Sequence, residues 1–278
     1  MTRITLVSTK GGVGKTTVAA NLGGFLADFG FRVLLVDADV QPTLSSYYEI
    51  RSEASAGLFQ MLVSGDVRDV VSSTRIPNLD LIVSNDSTGQ LPNLLLHAPD
   101  GRTRLKYLLG RFESTYDFVV IDTPGSLSAL QDAAVLAADL LISPLPPEML
   151  SAREFSRGTL NMLERLRPME HMNVPVPPLL AVLNRVDRTR DAAEIAAALR
   201  SELLADEQGR IRLLDTVIPN LVVYREAASL GVPAHRHQPW RPSGRSAPSA
   251  LETMEAFVAE ALPGIKRRGA RPREQALG

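Results

Sequence analysis

The residues with the clearest chemical meaning form a glycine-rich run near the amino terminus, between an apolar strand pattern and a helical pattern. The run is Lys10-Gly11-Gly12-Val13-Gly14-Lys15-Thr16-Thr17. In such a turn the backbone N–H groups of residues 11–14 converge at a helix amino terminus, which stabilises a bound anion. A lysine at the end of the loop reaches β- and γ-phosphates, and the next hydroxyl binds Mg²⁺. We therefore expect Lys15, Thr16 and Thr17 to bind a nucleoside triphosphate, with Thr17 on the α-phosphate.

Carboxylates follow two predicted strands. Asp37 and Asp39 come after the apolar run over 33–36, and the sequence D-T-P-G from Asp122 to Gly125 follows the run over 118–121. Open α/β sheets bind ligands at the carboxyl ends of their strands. We expect Asp122 to accept a hydrogen bond from a magnesium-bound water and the Gly125 N–H to contact a γ-phosphate. A contact made only with the triphosphate is the physical basis of a switch.

The elements that must position these groups are visible in the hydrophobic pattern. Apolar runs predict strands over 4–8, 33–36, 79–83, 118–121, 140–143, 179–183 and 213–218. Helical patterns lie between them over 16–29, 57–63, 103–112, 127–138, 151–166 and 192–204. Continuous apolar strands that alternate with helices predict an α/β fold, a mostly parallel sheet with helices on both faces.

The pattern changes after residue 218. Residues 233–248 are rich in Pro, Arg, Ser and His, which predicts a loop and places His235 and His237 on the surface. Ser249 is expected to cap a last helix. Its apolar stripe includes Met254 and Phe257, and its acidic polar face predicts that it docks on the domain and does not bind a membrane.

Composition bounds the function. The 278-residue chain is 45% apolar and contains no cysteine, which excludes disulfides, thiolate zinc sites and cysteine-held iron–sulfur clusters. It has no apolar run of about 18 residues, and residue 1 leads directly into a strand pattern, so we expect a cytoplasmic protein. We expect residues 1–262 to form a single nucleotide-binding domain and residues 263–278 to form a basic, flexible tail.

The glycine-rich loop departs from the strict P-loop pattern, because Thr9 stands where the first glycine belongs and Lys10 follows it. Together with the motifs at 37–39 and 122–125, the loop resembles the deviant Walker A motif of Soj-like proteins in the ParA/MinD ATPase superfamily. The resemblance covers residues 3–230. It implies a P-loop NTPase of the deviant Walker A type, in which Lys10 reaches across a dimer interface to the partner's nucleotide.

The resemblance also assigns roles to the first two carboxylates. It implies that Asp37 organises Mg²⁺ and its waters, and that Asp39 positions or activates the attacking water. The chain departs from the commonest family pattern at Val40, where proline is usual, and at Pro42, where glycine is usual. We therefore expect the first turn of this switch to be shaped differently.

Asn184 and Asp187 follow another predicted strand and allow two interpretations. The run N-R-V-D resembles the N-K-x-D element of GTPases, in which the aspartate reads guanine. In ParA-type ATPases an asparagine at this strand end contacts adenine, and Pro219 resembles the second adenine-side element of that family. Glu148 lies near a position at which relatives contact the opposite subunit's nucleoside. The rest of the chain favours ATP.

By this resemblance the protein is an Mg²⁺-dependent ATP hydrolase that dimerises on ATP and binds DNA without sequence preference. It would partition or position DNA with a ParB-like activator and associate with the nucleoid. Residues 210–278 carry 11 Lys/Arg and 6 Asp/Glu, so this basic region holds the candidate DNA contacts. The candidates are Arg225, Arg236, Arg241, Arg245, Lys266, Arg267 and Arg268.

Three alternatives have a sequence basis. A MinD-like ATPase that acts on a membrane or a protein cargo would need a basic amphipathic C-terminal helix, and the tail lacks an apolar face, so we expect no membrane binding. A metabolic enzyme or metallochaperone of the same superfamily would need cysteines or a second catalytic domain. A GTPase is the remaining alternative, which nucleotide competition would test.

Overall fold

The computed structural model describes residues 1–187, 189–203, 210–244 and 246–265. Its strands are β1 (Thr2–Leu6), β2 (Val33–Asp37), β3 (Ile50–Ser52), β4 (Ser72–Thr74), β5 (Leu79–Ile82), β6 (Phe118–Asp122), β7 (Leu140–Leu145), β8 (Leu179–Val186) and β9 (Ile211–Pro219). In the described residues they form one nine-stranded sheet in the order β3-β4-β5-β2-β6-β1-β7-β8-β9. The sheet is parallel except at one edge, where β4 pairs antiparallel with both β3 and β5.

All seven predicted strands are present, and the mostly parallel sheet is confirmed. The sequence pattern did not reveal β3 and β4, because each is only three residues long. Asn78 in the connection between β4 and β5 adopts a left-handed φ of 62°, which asparagine tolerates better than most residues. The antiparallel pair therefore extends the parallel core at its edge.

The helices are α1 (Lys15–Asp28), α2 (Leu58–Ser64), α3 (Leu91–His97), α4 (Gly101–Gly110), α5 (Ala129–Ala137), α6 (Met149–Glu154), α7 (Asn161–Leu166), α8 (Arg190–Leu203), α9 (Val223–Leu230), α10 (Ala234–His237) and α11 (Ala250–Ala261). The six helices predicted between the strands and the last helix capped by Ser249 are all present, whereas α3, α9 and α10 were not predicted. The predicted loop over 233–248 is wrong at its start, where α10 makes one turn. The predicted helix over 151–166 is α6 and α7 joined by a π-helical segment, Phe155–Leu160.

Helices cover both faces of the sheet, as predicted. On one face, Phe25 of α1 and Phe257 of α11 are fully buried in the same cluster as Leu35 of β2. On the other face, Leu105 of α4 packs in a cluster with Val119 of β6. Every residue of β2 and β6 is buried, because a central parallel strand is covered on both sides. The loops at the carboxyl ends of these strands are thereby held on a rigid frame.

The last described helix behaves as expected. Ser249 caps α11 by accepting a hydrogen bond from the Glu252 N–H, and the Glu252 carboxylate accepts from the Ser249 N–H. Met254 and Phe257 are buried against the sheet, so the apolar stripe faces the protein. Among the described residues, no helix combines the length and the apolar composition that crossing a bilayer requires.

Candidate nucleotide-binding site

The glycine-rich loop connects β1 to α1 in a conformation that requires its glycines. Gly12 and Gly14 have φ values of 74° and 97°, and Gly14 caps α1, where a side chain would be strained. A Cβ on Gly125 would lie 2.7 Å from the Gly11 Cα, so the D-T-P-G turn lies against the loop. The predicted phosphate cradle and the predicted γ-phosphate sensor therefore occupy one place.

Lys15 is the buried cation of the site, with 6% of its surface exposed. Burial lowers the pKa of Lys15, and the nearby carboxylates of Asp122 and Asp39 partly oppose that shift. A buried ammonium group needs a compensating anion. The loop therefore presents a positive charge and converging N–H groups at the same point, which suits a phosphate chain.

Two buried carboxylates stand beside the loop. Asp37 and Asp122 end adjacent parallel strands and lie directly opposite each other in register. Thr16 Oγ1 donates a 2.5 Å hydrogen bond to Asp122 Oδ2, whereas the buried Asp122 Oδ1 has no hydrogen-bond partner. Burial raises the pKa of Asp122 to about 7 and that of Asp37 to about 6. The buried carboxylates of Asp37 and Asp122 therefore lack enough neighbouring positive charge to offset their burial.

The donor set fits Mg²⁺. Hydroxyl and carboxylate oxygens are its preferred ligands, and the unpartnered Asp122 Oδ1 offers an unused lone pair. Within the described ranges, no group of three or more His, Cys, Asp or Glu could hold a metal on its own. That arrangement matches magnesium, which proteins usually bind through one or two carboxylates together with phosphate and water.

Two serines that were not predicted as site residues, Ser45 and Ser84, hold the loop after β2. Asp37 Oδ2 accepts hydrogen bonds from both the N–H and the hydroxyl of Ser45, each at 2.7 Å. Ser84 connects to the same loop, because its N–H donates to Ser45 Oγ at 2.9 Å and its hydroxyl donates to the Asp39 carbonyl at 2.5 Å. Ser84 belongs to no motif, so no local pattern indicated its role. These bonds fix the backbone that carries Asp39.

A cavity of about 480 Å³ lies next to the loop. Its lining brings together four residues predicted from separate parts of the sequence, namely Thr17, Glu148, Asn184 and Pro219. Asn184 Nδ2 also donates to the Val13 carbonyl at 2.7 Å, which ties β8 to the glycine-rich loop. The cavity volume is within the usual range for small-molecule sites.

Lys10 makes different contacts from Lys15. Its ammonium group donates to Ser151 Oγ at 2.8 Å and to Glu148 Oε2 at 3.4 Å, at the start of α6. Ser151 Oγ in turn donates to the Glu148 carboxylate. The two loop lysines therefore occupy different surroundings, Lys15 buried beside Asp122 and Asp39 and Lys10 partly exposed at the start of α6. Ser151 is a further residue that the sequence reading missed.

The predicted DNA-contacting residues have different surroundings in the structure. Arg225 is exposed at the rim of the cavity. Arg236 instead forms two hydrogen bonds with Asp28, and Arg241 faces Glu252 at 3.3 Å. The other four candidates, Arg245, Lys266, Arg267 and Arg268, lie outside the described residues.

The surface position predicted for His235 is wrong. The side chain is 2% exposed and its Nε2 lies 2.7 Å from Asp28 Oδ2. The ring packs edge-on against Phe25 of α1. The run Pro-Ala-His-Arg-His therefore anchors α10 to α1, and its polar composition concealed that role.

Comparison with known proteins agrees with this geometry. The sequence profile of the AAA domain matches residues 1–173. Sporulation initiation inhibitor protein Soj of Bacillus subtilis is 31% identical over 241 residues, which span 85% of this chain and 91% of that protein. Chromosome-partitioning ATPase Soj of Thermus thermophilus is 32% identical over 259 residues, or 93% and 97% of the two chains. A solved complex of Cyanothece McdA with ATP matches with a TM-score of 0.76 and 26% identity, over 95% of this chain and 96% of the other. The chain belongs to the ParA/MinD family of P-loop ATPases.

Proposed function

We propose that this protein is a ParA-like ATPase that dimerises on Mg²⁺–ATP and uses the dimer to partition or position DNA. One observation carries the proposal. The loop supplies two lysines with separate surroundings, a buried Lys15 in the phosphate cradle and a partly exposed Lys10 that donates to Ser151 and Glu148 at the start of α6. The first suits nucleotide binding, and the second suits a contact with another subunit.

The residues divide the chemistry of hydrolysis among them. Lys15 and the N–H groups of the loop bind the phosphates, and Thr16, Asp37 and Asp122 would hold Mg²⁺. When bound, the metal neutralises charge on the phosphate oxygens. Asp39 stands on a loop fixed by Ser45 and Ser84, which suits a carboxylate that orients an attacking water.

Exposed apolar side chains provide a candidate contact surface for a second copy of the chain. Large apolar side chains are exposed on the loops after β2 and β6 and at the start of α6, which follows β7, at the edge that also carries Lys10. They are Val40, Leu127, Met149 and Leu150, with exposed fractions of 36%, 57%, 56% and 60%. Apolar groups grouped at one edge favour a protein interface there. Dimerisation would bury them and bring Lys10 to the partner's nucleotide.

DNA binding by this dimer would act through the phosphate backbone. Among the described candidates Arg225 is exposed, whereas Arg236 and Arg241 already face carboxylates. Binding through such contacts is independent of base sequence and weakens with salt. A ParB-like protein would then stimulate slow hydrolysis and release the DNA, which would place the ATPase on the nucleoid.

The proposal is tested by measuring ATP binding and hydrolysis in three proteins. We expect Lys15→Ala to lose ATP binding. Asp39→Ala should still bind ATP, but its hydrolysis rate should fall by about 10²-fold or more, as for loss of a positioned base. A gel shift with random-sequence DNA should require ATP in the wild type. An Asp39→Ala variant that hydrolyses at the wild-type rate, or DNA binding that ignores ATP, would contradict the proposal.

A further inference from the structure

Two polar side chains meet at the rim of the cavity that also holds Asn184 and Pro219. Asn220 Nδ2 donates a hydrogen bond to Asp187 Oδ1 at 3.0 Å, and both residues line the cavity. Asp187 is the residue that would read guanine in an N-K-x-D element. In this protein one of its oxygens is already engaged by a neighbouring side chain.

The backbone holds this pair in place. The Asn220 N–H donates to the Val186 carbonyl at 3.1 Å, and Pro219 pairs with Val186 in the β8–β9 ladder. Between Asn184 and Asp187, Arg185 adopts a left-handed φ of 56° where the ladder shifts register. Such a conformation is costly for arginine and persists only where the surroundings impose it. The two side chains are therefore presented by fixed strand ends.

The chemistry of the two purines differs at the edge such a pair would meet. Guanine presents two adjacent donors, N1–H and the exocyclic amine, which match the two oxygens of a free carboxylate. Adenine presents one amine donor beside an acceptor nitrogen. Because Asp187 Oδ1 already accepts from Asn220, guanine would have to share that oxygen and would also meet the Asn220 amide NH₂, which carries only donors. Adenine needs only one acceptor.

We propose that Asn220 is a specificity-determining residue that favours adenine over guanine by occupying one oxygen of Asp187. The inference rests on the proposed nucleotide site and deepens it. It also explains how a chain that carries the letters N-R-V-D can prefer ATP. Both side chains are exposed at the cavity rim, so the expected discrimination is modest.

The test compares dissociation constants for ATP, GTP and ITP in the wild type, Asn220→Ala and Asp187→Asn. We expect Asn220→Ala to shift the ATP-to-GTP affinity ratio towards GTP by about tenfold, because a freed carboxylate gains a charge-assisted hydrogen bond. ITP, which has N1–H but lacks the exocyclic amine, should gain less than GTP. Asp187→Asn should gain nothing for GTP. Asn161→Ala, on α7, serves as a matched control because its amide bonds the helix backbone.

The outcomes separate the inference from the proposed function. A wild type that binds neither nucleotide, in the same way as Lys15→Ala, would defeat the proposed function itself. If the wild type binds ATP but Asn220→Ala weakens ATP and GTP equally, Asn220 is merely structural and the inference fails. A wild type that prefers GTP would also overturn it. Unfolding temperatures of the variants check that each protein is folded.

Discussion

Replacement of Gly158 by alanine tests how the deviant loop is supported. Gly158 lies in the π-helical segment between α6 and α7, where a Cβ would stand 2.0 Å from Thr9 Oγ1 and 3.0 Å from Thr9 Cβ. Thr9 is the residue that replaces the first glycine of the strict P-loop, and its N–H donates to Thr159 Oγ1 at 3.3 Å. The absence of a side chain at 158 therefore makes room for Thr9.

The expected magnitude follows from opposing effects. Overpacking at such a contact costs about 1–3 kcal/mol, and disturbing the bonds between Thr9 and Thr159 costs about 1 kcal/mol more. Alanine in place of glycine in a helix returns about 1 kcal/mol. We expect Gly158→Ala to lower the free energy of unfolding by about 2 kcal/mol. In the Thr9→Gly background the clash is absent, and the same change should stabilise by up to about 1 kcal/mol.

The assay is a double-mutant cycle by urea denaturation of the four proteins without nucleotide, with the m-value checked for constancy. The predicted coupling energy is about 2–3 kcal/mol, well above the roughly 0.5 kcal/mol scatter seen for independent sites. If Gly158→Ala has the same effect in both backgrounds, the contact with Thr9 does not matter. The account of the loop entrance would then be wrong.

Three other predictions address separate features. Burial alone would raise the pKa of Asp28, but bonds from Arg236 and His235 outweigh it and hold that pKa below its usual value. Asp28→Asn should therefore lower the free energy of unfolding by about 1–3 kcal/mol at neutral pH. This difference from the wild type should disappear as the pH falls below the ordinary pKa of an aspartate and then through the depressed pKa of Asp28. A pH-independent difference in urea titrations would contradict this prediction. Arg225→Ala should reduce the salt-dependence slope of DNA binding by about 1, whereas Arg241→Ala should not; equal effects in gel shifts would remove Arg225 as the contact. Asp122→Asn should abolish the extra thermal stabilisation that Mg²⁺ gives the nucleotide-bound protein, and an unchanged Mg²⁺-dependent shift would exclude Asp122 as a ligand.

The sequence predicted the parallel core because its strands are continuous apolar runs between helical patterns. The phosphate loop was also predictable from the sequence. Gly12 and Gly14 adopt positive φ values that favour glycine, so the residue types directly reflect the loop conformation. The antiparallel edge was not visible, because three-residue strands carry too little periodicity. The burial of His235 could not be predicted from the sequence, because it depends on a tertiary contact with Asp28.

The same limit applies within the site. Asp37, Asp39 and Asp122 were predicted as a group because parallel strands bring their carboxyl ends to one edge. Ser84, Ser151 and Asn220 have no motif, and their roles depend on side-chain distances across loops that are far apart in sequence. Local patterns therefore predicted the groups with the proposed chemical roles, whereas the residues that hold those groups could be found only in the structure.

The central claim is that Lys15 binds the nucleotide of its own subunit while Lys10 acts on the partner's. It is tested most directly by measuring molar mass in solution with Mg²⁺–ATP and with Mg²⁺–ADP. We predict that the wild type and Asp39→Ala are dimers with ATP and monomers with ADP, and that Lys10→Ala binds ATP but remains a monomer. A wild type that is monomeric in every nucleotide state, or a Lys10→Ala variant that dimerises as the wild type does, would contradict the claim.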